Sequence, residues 1–247
     1  MKICATFCYV FLLSPTLNGA ESPPPQNARQ QMRNMIKNIL VYNQEFRDDL
    51  LNDEAYFRKQ TAGQHLRTTI VSCVDSHVYT SNFDLRPLDD IFFVRNIGNQ
   101  IEPYLGSIDY GVYHLNSSLL LFLGHSQCGT VRAVTQGLEG LETFIQNELK
   151  PVRVIHQTSH PTDAQMADNA AKNVYNLVEK AHRRYQEFIQ REKLWVVGAV
   201  YDFTPQGQGQ LKIIQINDKI DSTSLSLFLE DLELHGNYED DPGRPHY

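Results

Sequence analysis

Two short polar runs, each placed directly after an apolar stretch, constrain the fold of this chain most. The run CVDSH at 73–77 follows an apolar stretch at 69–71, and the run HSQC at 125–128 follows the apolar stretch 119–124. Both apolar stretches have the length and composition of buried strands. The polar runs together offer two thiols and one imidazole, which are ligand types that zinc prefers. A closed structural zinc site uses four protein ligands, so three ligands predict a zinc ion with one position open for chemistry.

The rest of the chain alternates strand-like and helix-like segments. Apolar runs predict five strands, at 69–74, 91–94, 118–124, 194–200 and 211–216. Helical spacing predicts an amphipathic N-terminal helix at 28–50, a helix at 101–115, and a long helix that a capping box opens at Thr162. The short loop at 205–209 joins the last two strands as an antiparallel pair. The expected fold class is α/β, with a mostly parallel five-stranded sheet flanked by helices, the last strand antiparallel, and an N-terminal helical arm.

This fold makes a geometric demand on the proposed ligands. In open parallel sheets, ligands bind beyond the carboxyl ends of the strands. Cys73 ends the first predicted strand, whereas His125 and Cys128 follow the third. The three side chains therefore meet only if the first and third strands are neighbours in the sheet.

The N-terminal segment predicts export. Residues 1–20 have the positive start, short apolar run and small terminal residues of a secretory signal peptide. The apolar run is too short for a stable membrane anchor, although an uncleaved anchor is the alternative. We expect a periplasmic or secreted protein with no membrane span after cleavage. The predicted organisation is a flexible lead at 21–27, one domain at 28–236 that starts with a helical arm (28–60), and a mobile tail at 237–247.

Cleavage would leave Cys73 and Cys128 as the two remaining cysteines of the four in the chain. In an exported protein two cysteines usually form a disulfide, which stays an alternative here. The histidine three residues before Cys128 and the two strand-end positions favour a metal site instead. With 247 residues and 41% hydrophobic content, the chain can form a core without disulfides. Its net charge of −7, with no basic cluster, predicts no nucleic-acid partner.

The motifs resemble those of the β-class carbonic anhydrases. Cys73, Asp75 and Ser76 match the family motif Cys-x-Asp-Ser-Arg, and the second motif, His-x-x-Cys-Gly, is matched by His125, Cys128 and Gly129. Gln64 and the segments at 93–99, 106–111 and 198–202 also match the family. The resemblance covers most of the chain from about residue 28 to residue 216.

The resemblance implies reversible hydration of carbon dioxide to bicarbonate, with zinc bound by Cys73, His125 and Cys128. It implies that Asp75 orients the attacking water and manages its proton. Gln64 would hydrogen-bond carbon dioxide or bicarbonate, and Gly129 would lie at the substrate. The family works as a homodimer or a dimer of dimers, in which the N-terminal helix reaches across to the partner.

One residue departs from the family pattern, because His77 stands where the family has arginine. The family arginine forms a charged pair with the aspartate and holds it off the metal. Histidine has fewer donors and only a conditional charge, so Asp75 becomes a possible fourth ligand in a closed state. His77, Asp75 and Gln64 are the candidate catalytic residues. The alternatives are a zinc domain that binds bicarbonate without catalysis, and a hydrolase of carbonyl sulfide or carbon disulfide.

Overall fold

The computed structural model describes residues 28–49, 58, 61, 63, 64, 66–79, 82 and 90–231. The predicted signal peptide, flexible lead and C-terminal tail lie outside the described residues, as does most of the arm beyond residue 49. The contacts of the chain group it into two units, one up to Asp53 and one from Glu54 onward. The predicted domain boundaries stay a prediction.

The first unit contains one described helix, α1 (Ala28–Asp49), where the sequence predicts a helix at 28–50. Six of its apolar residues recur mostly at spacings of three and four, which puts them on one face. Their side chains remain between 47% and 64% exposed; they are Met32, Met35, Ile36, Ile39, Leu40 and Phe46. Among the described helices, none combines the length and the apolar character needed to cross a bilayer.

The second unit is built around a five-stranded sheet in the order β2-β1-β3-β4-β5. The strands are β1 (Thr68–Cys73), β2 (Ile91–Asn96), β3 (Leu119–His125), β4 (Trp195–Asp202) and β5 (Gln210–Ile216). All neighbouring pairs are parallel except β4 with β5, which is antiparallel. The predicted fold class is confirmed. The observed strands differ from the predicted ones by one or two residues at their ends, as expected for boundaries read from sequence.

The neighbour relation that the metal hypothesis requires is present. Strands β1 and β3 pair in parallel, with Ser72 opposite Leu123. Their carboxyl ends therefore lie side by side at one edge of the sheet. Cys73 and His125 are the last residues of these two strands, so both belong to the sheet rather than to the loops beyond it.

From residue 90 onward, the α-helices that the structure describes are α2 (Leu105–Asp109), α3 (Gly129–Gln136), α4 (Thr143–Leu149), α5 (Asp163–Arg184), α6 (Gln186–Gln190) and α7 (Ser222–Asp231). The capping box at Thr162 is confirmed: its side chain accepts a hydrogen bond from the Gln165 backbone, and the Gln165 side chain bonds back to Thr162. The continuous helix predicted at 101–115 is instead a 3₁₀ turn (Glu102–Tyr104), α2, and a π turn (Tyr110–His114).

Helix α5 packs closely on the middle of the sheet because two strands carry glycine beneath it. A Cβ atom on Gly124 of β3 would lie 2.6 Å from a methyl group of Val174, and one on Gly198 of β4 would lie 2.7 Å from the other. Val174 is fully buried between them. These contacts fix α5 against β3 and β4, and so fix the strand that carries His125.

Candidate metal centre

Two strand ends and one helix start supply the candidate ligands. Cys73 ends β1, His125 ends β3, and Cys128 is the N-cap residue of α3. The turn between the last two passes through Gln127, whose φ of 53° is in the left-handed region. The backbone N–H of Ser126 donates to the Tyr201 carbonyl at 2.9 Å. This bond ties the turn to β4.

The three predicted ligands come together in a buried group. Their ligand atoms all lie within 4.8 Å of one another. Cys73, His125 and Cys128 are 3%, 1% and 2% exposed. Both cysteines are free thiols, so the disulfide alternative is not what the structure contains.

The hydrogen bonds of His125 leave one ring nitrogen for a metal. Its Nδ1–H donates to the Ser126 carbonyl at 2.9 Å, so Nε2 carries the lone pair of the neutral imidazole. Nε2 is buried, and no neighbour among the described residues meets the geometry of a hydrogen bond to it. Burial alone would lower the pKa of His125, but the adjacent Cys73 thiolate outweighs it and raises that pKa. A buried polar atom without a partner is costly, and a histidine anchored through its other nitrogen is the usual arrangement of a metal ligand. The site therefore fits a metal ion bound to Nε2.

The electrostatics of the two sulfur atoms also fit a cation. The hydrogen bond between the cysteines lowers the pKa of Cys73 and raises the pKa of Cys128, so the pair shares one proton. The Gly98 N–H supports the Cys73 thiolate. The N–H groups of Thr130 and Val131, in the first turn of α3, support that of Cys128. A bound cation is the missing charge that would allow both thiols to ionise.

Asp75 lies beside the three-ligand group and outside it. Its Oδ2 atom is 4.0 Å from His125 Nε2. Its Oδ1 atom accepts hydrogen bonds from the His77 ring Nδ1 at 2.8 Å and from the His77 backbone N–H at 3.0 Å. Burial alone would raise the pKa of Asp75, but the hydrogen bonds from His77 outweigh it and lower that pKa. The carboxylate is therefore ionised at neutral pH and is held by the residue that replaces the family arginine.

Arg95 supports the same run from β2. Its Nε donates to the Cys73 carbonyl at 3.2 Å and its Nη2 to the Asp75 carbonyl at 2.7 Å. The guanidinium thus fixes the backbone on which Cys73 and Asp75 stand. From the sequence, Arg95 is by default a surface charge, and a buried ion-pair role for it rests on the family resemblance alone. In the structure it bonds to two backbone carbonyls.

Phe203 is a neighbour of the site that sequence reasoning missed. Its ring centroid lies 5.1 Å from that of His77 and 5.6 Å from that of His125. The available signal was its position directly after β4, the strand next to β3, at the carboxyl edge where the ligands meet.

The remaining two predicted site residues have different positions. Gly129 is the first residue of α3, directly after Cys128. Gln64 is exposed in a stretch without regular secondary structure before β1. The roles predicted for both toward substrate stay predictions.

Comparison with known proteins decides the family. A family profile described as carbonic anhydrase matches residues 68–208, which is more than half of the chain and includes Cys73, His125 and Cys128. The chain belongs to the β-carbonic anhydrase family. Carbonic anhydrase 2 of Mycobacterium tuberculosis is 42% identical over 73 residues, which is 29% of this chain and 35% of that protein. The carbonic anhydrase of Synechococcus elongatus is 23% identical over 163 residues, 59% of this chain and 60% of that one. The chain thus spans less than two thirds of these relatives.

Solved structures support the fold of this β-carbonic anhydrase. Tetrameric β-carbonic anhydrases of Sordaria macrospora include a chain with a TM-score of 0.62 and 21% identity, covering 73% of this chain and 97% of that one. A β-carbonic anhydrase of Aspergillus fumigatus gives a TM-score of 0.61 at 24% identity, covering 80% of this chain and 98% of that one. Because these sequence identities are below 25%, the two structures support the fold of this chain and nothing beyond it.

The geometry predicts that His125 is required for metal retention. His125→Ala removes the buried Nε2 atom, so the purified protein should lose stoichiometric metal on dialysis against metal-free buffer. His160→Ala, which changes an exposed histidine, is the control and should keep its metal. Elemental mass spectrometry measures the metal content of both variants, and circular dichroism confirms that they are folded. Full retention by a folded His125→Ala protein would contradict the ligand assignment.

Proposed function

We propose that this protein catalyses the reversible hydration of carbon dioxide to bicarbonate and a proton, with zinc bound by Cys73, His125 and Cys128. The observation that carries the proposal is the buried Cys-His-Cys group with an ionised carboxylate beside it, in a member of this family. Two thiolates and one imidazole suit zinc, and three protein ligands are what catalytic zinc sites use. Zinc bound here would supply the Lewis acidity that makes water a nucleophile at neutral pH.

Asp75 takes the proton-handling role in this proposal. Its Oδ1 atom is occupied by two donors from His77, whereas Oδ2 lies on the side of His125 Nε2. Oδ2 is thus available to accept a hydrogen bond from the attacking water and to orient its lone pair toward carbon dioxide. Because the pKa of Asp75 is lowered, the carboxylate stays an acceptor at neutral pH.

His77 and Arg95 keep Asp75 in that orientation. His77 holds the carboxylate, and Arg95 holds the backbone carbonyl of the same residue. Because His77 binds the Asp75 carboxylate, it competes with the metal for that side chain. This arrangement supports a catalytic site rather than one in which Asp75 is the fourth metal ligand.

Two further residues complete the proposed substrate site. Gln64 would donate from its side-chain amide to an oxygen of carbon dioxide or bicarbonate. Gly129 would line the substrate position through its backbone, next to Cys128. Both assignments rest on the family motif.

The proposal predicts that Asp75→Asn separates catalysis from metal binding. The amide keeps the shape of the side chain but cannot accept a proton, so carbon dioxide hydration should fall by about 10²-fold or more, while zinc content stays at one per chain. Asp168→Asn, at an exposed aspartate paired with His156, is the matched control. Stopped-flow hydration assays and metal analysis measure both quantities.

Activity of Asp75→Asn within threefold of the parent would contradict the role of Asp75. A parent protein that hydrolyses carbonyl sulfide or carbon disulfide but does not hydrate carbon dioxide would replace the proposed substrate. A zinc-loaded parent with no activity on any of these would leave a non-catalytic zinc domain.

We also propose that the chain assembles at least as a homodimer through α1. The exposed apolar residues on one face of this helix form the kind of surface that is normally covered by a partner. The tetrameric assembly of the Sordaria macrospora relatives is consistent with a multimeric enzyme.

The assembly proposal predicts that Ile39→Glu lowers the molar mass in solution. Ile39 is on the apolar face and 64% exposed, so a charge there should oppose burial against a second copy. Asn38→Glu is the control, because it adds the same charge to the same helix about 100° further round. Light scattering at micromolar concentration should give a dimer or larger species for parent and control. A monomeric parent would refute the proposal.

A further inference from the structure

Phe203 occupies a defined place between the candidate ligand His125 and the outer residue His77. It follows the last residue of β4, and its backbone N–H donates to Ser126 Oγ at 3.1 Å. That bond ties Phe203 to the turn that leads from His125 to Cys128. The Phe203 and His125 rings stack, with their centroids 5.6 Å apart and their planes at 26°. The buried His125 ring is thus a fixed base for Phe203.

The His77 ring has few other contacts among the described residues. Its side chain is 69% exposed, and the hydrogen bond that it makes there runs from Nδ1 to Asp75 Oδ1 at 2.8 Å. An exposed pair of this kind contributes little by itself, because water competes for both partners. The Phe203 ring covers one face of the imidazole, with the centroids 5.1 Å apart and the planes at 30°. This spacing is within the range of favourable aromatic contacts.

We propose that Phe203 is a positioning residue that acts through His77. Its ring packs on the buried His125 and keeps the exposed His77 in the rotamer that donates to Asp75. The proposal rests on the proposed function, because the orientation of Asp75 matters only if that carboxylate handles a proton. It explains how histidine serves where the family has arginine: ring packing supplies the orientation that a guanidinium would supply by charge and bidentate geometry.

The size of the effect follows from the strength of aromatic packing. Contacts of this type change the population of a packed rotamer by roughly two- to tenfold. Replacing Phe203 with leucine should therefore lower kcat for carbon dioxide hydration by roughly two- to tenfold, with little change in KM. Zinc content should be unchanged, because His125 keeps its hydrogen bond to the Ser126 carbonyl.

The experiment is a double-mutant cycle on the zinc-loaded full protein. The variants are Phe203→Leu, His77→Ala and the double variant. Phe203→Tyr keeps a ring and serves as the rescue. Phe188→Leu is the control, because it removes a comparable aromatic contact, with Tyr113 at 5.3 Å, away from the site. Each protein is assayed for kcat, KM, zinc content and thermal unfolding.

A spectroscopic readout makes the test independent of activity. Proton–nitrogen correlation spectra of the imidazole rings report the hydrogen bond at His77 Nδ1. Phe203→Leu should shift the His77 resonances toward those of a solvated ring. Phe203→Tyr and Phe188→Leu should leave them at the parent position.

The cycle separates action through His77 from a general effect on folding. Phe203→Leu should reduce kcat in the parent but have almost no effect in the His77→Ala background. An equal loss in both backgrounds would overturn the proposal, as would His77 resonances that do not respond to Phe203→Leu. Loss of zinc from Phe203→Leu would also overturn it, because the ring would then act on His125. An inactive parent would count against the proposed function, while the His77 resonances would still decide the role of Phe203.

Discussion

The parallel pairing of β1 with β3 is the contact on which the site depends. It places the ends of two strands side by side, and those ends are Cys73 and His125. Cys128 follows after one tight turn, at the start of α3. A shift of one residue in either strand would turn a ligand to the other face of the sheet. The contacts of Val174 with Gly124 and Gly198 help to hold β3 and β4 in place under α5.

Two buried thiolates and one imidazole are stable only if hydrogen-bond donors and a positive charge lie close to the sulfur atoms. The backbone N–H of Gly98 supports the sulfur of Cys73, and the N–H groups of the first turn of α3 support that of Cys128. His125 gives its Nδ1 proton to a carbonyl and presents Nε2. Around this centre the protein places Asp75, held by His77 and, through its backbone, by Arg95. Each of these features favours a cation at the centre and an ionised carboxylate beside it.

The fold class could be predicted from the sequence because it depends on local patterns, and the two motifs indicated the three residues of the buried Cys-His-Cys group. Apolar runs indicate strands, and the capping box at Thr162 indicates where α5 begins. Sequence reasoning did not find the break of the predicted helix at 101–115, because a turn of 3₁₀ or π geometry has almost the same apolar spacing as an α-helix. It also missed Phe203 and the bonds of Arg95 to the Cys73 and Asp75 carbonyls. Arg95 lies on β2 and Phe203 just after β4, and their contacts with the site depend on three-dimensional packing that spacing along the chain does not encode.

We have proposed that Cys73, His125 and Cys128 hold a zinc ion with one position left for chemistry. X-ray absorption at the zinc edge of the purified protein reports the atoms bound to that ion. We expect two sulfur neighbours at about 2.3 Å and two nitrogen or oxygen neighbours at about 2.0–2.1 Å. A zinc shell with no sulfur, or with four sulfur neighbours, would contradict it.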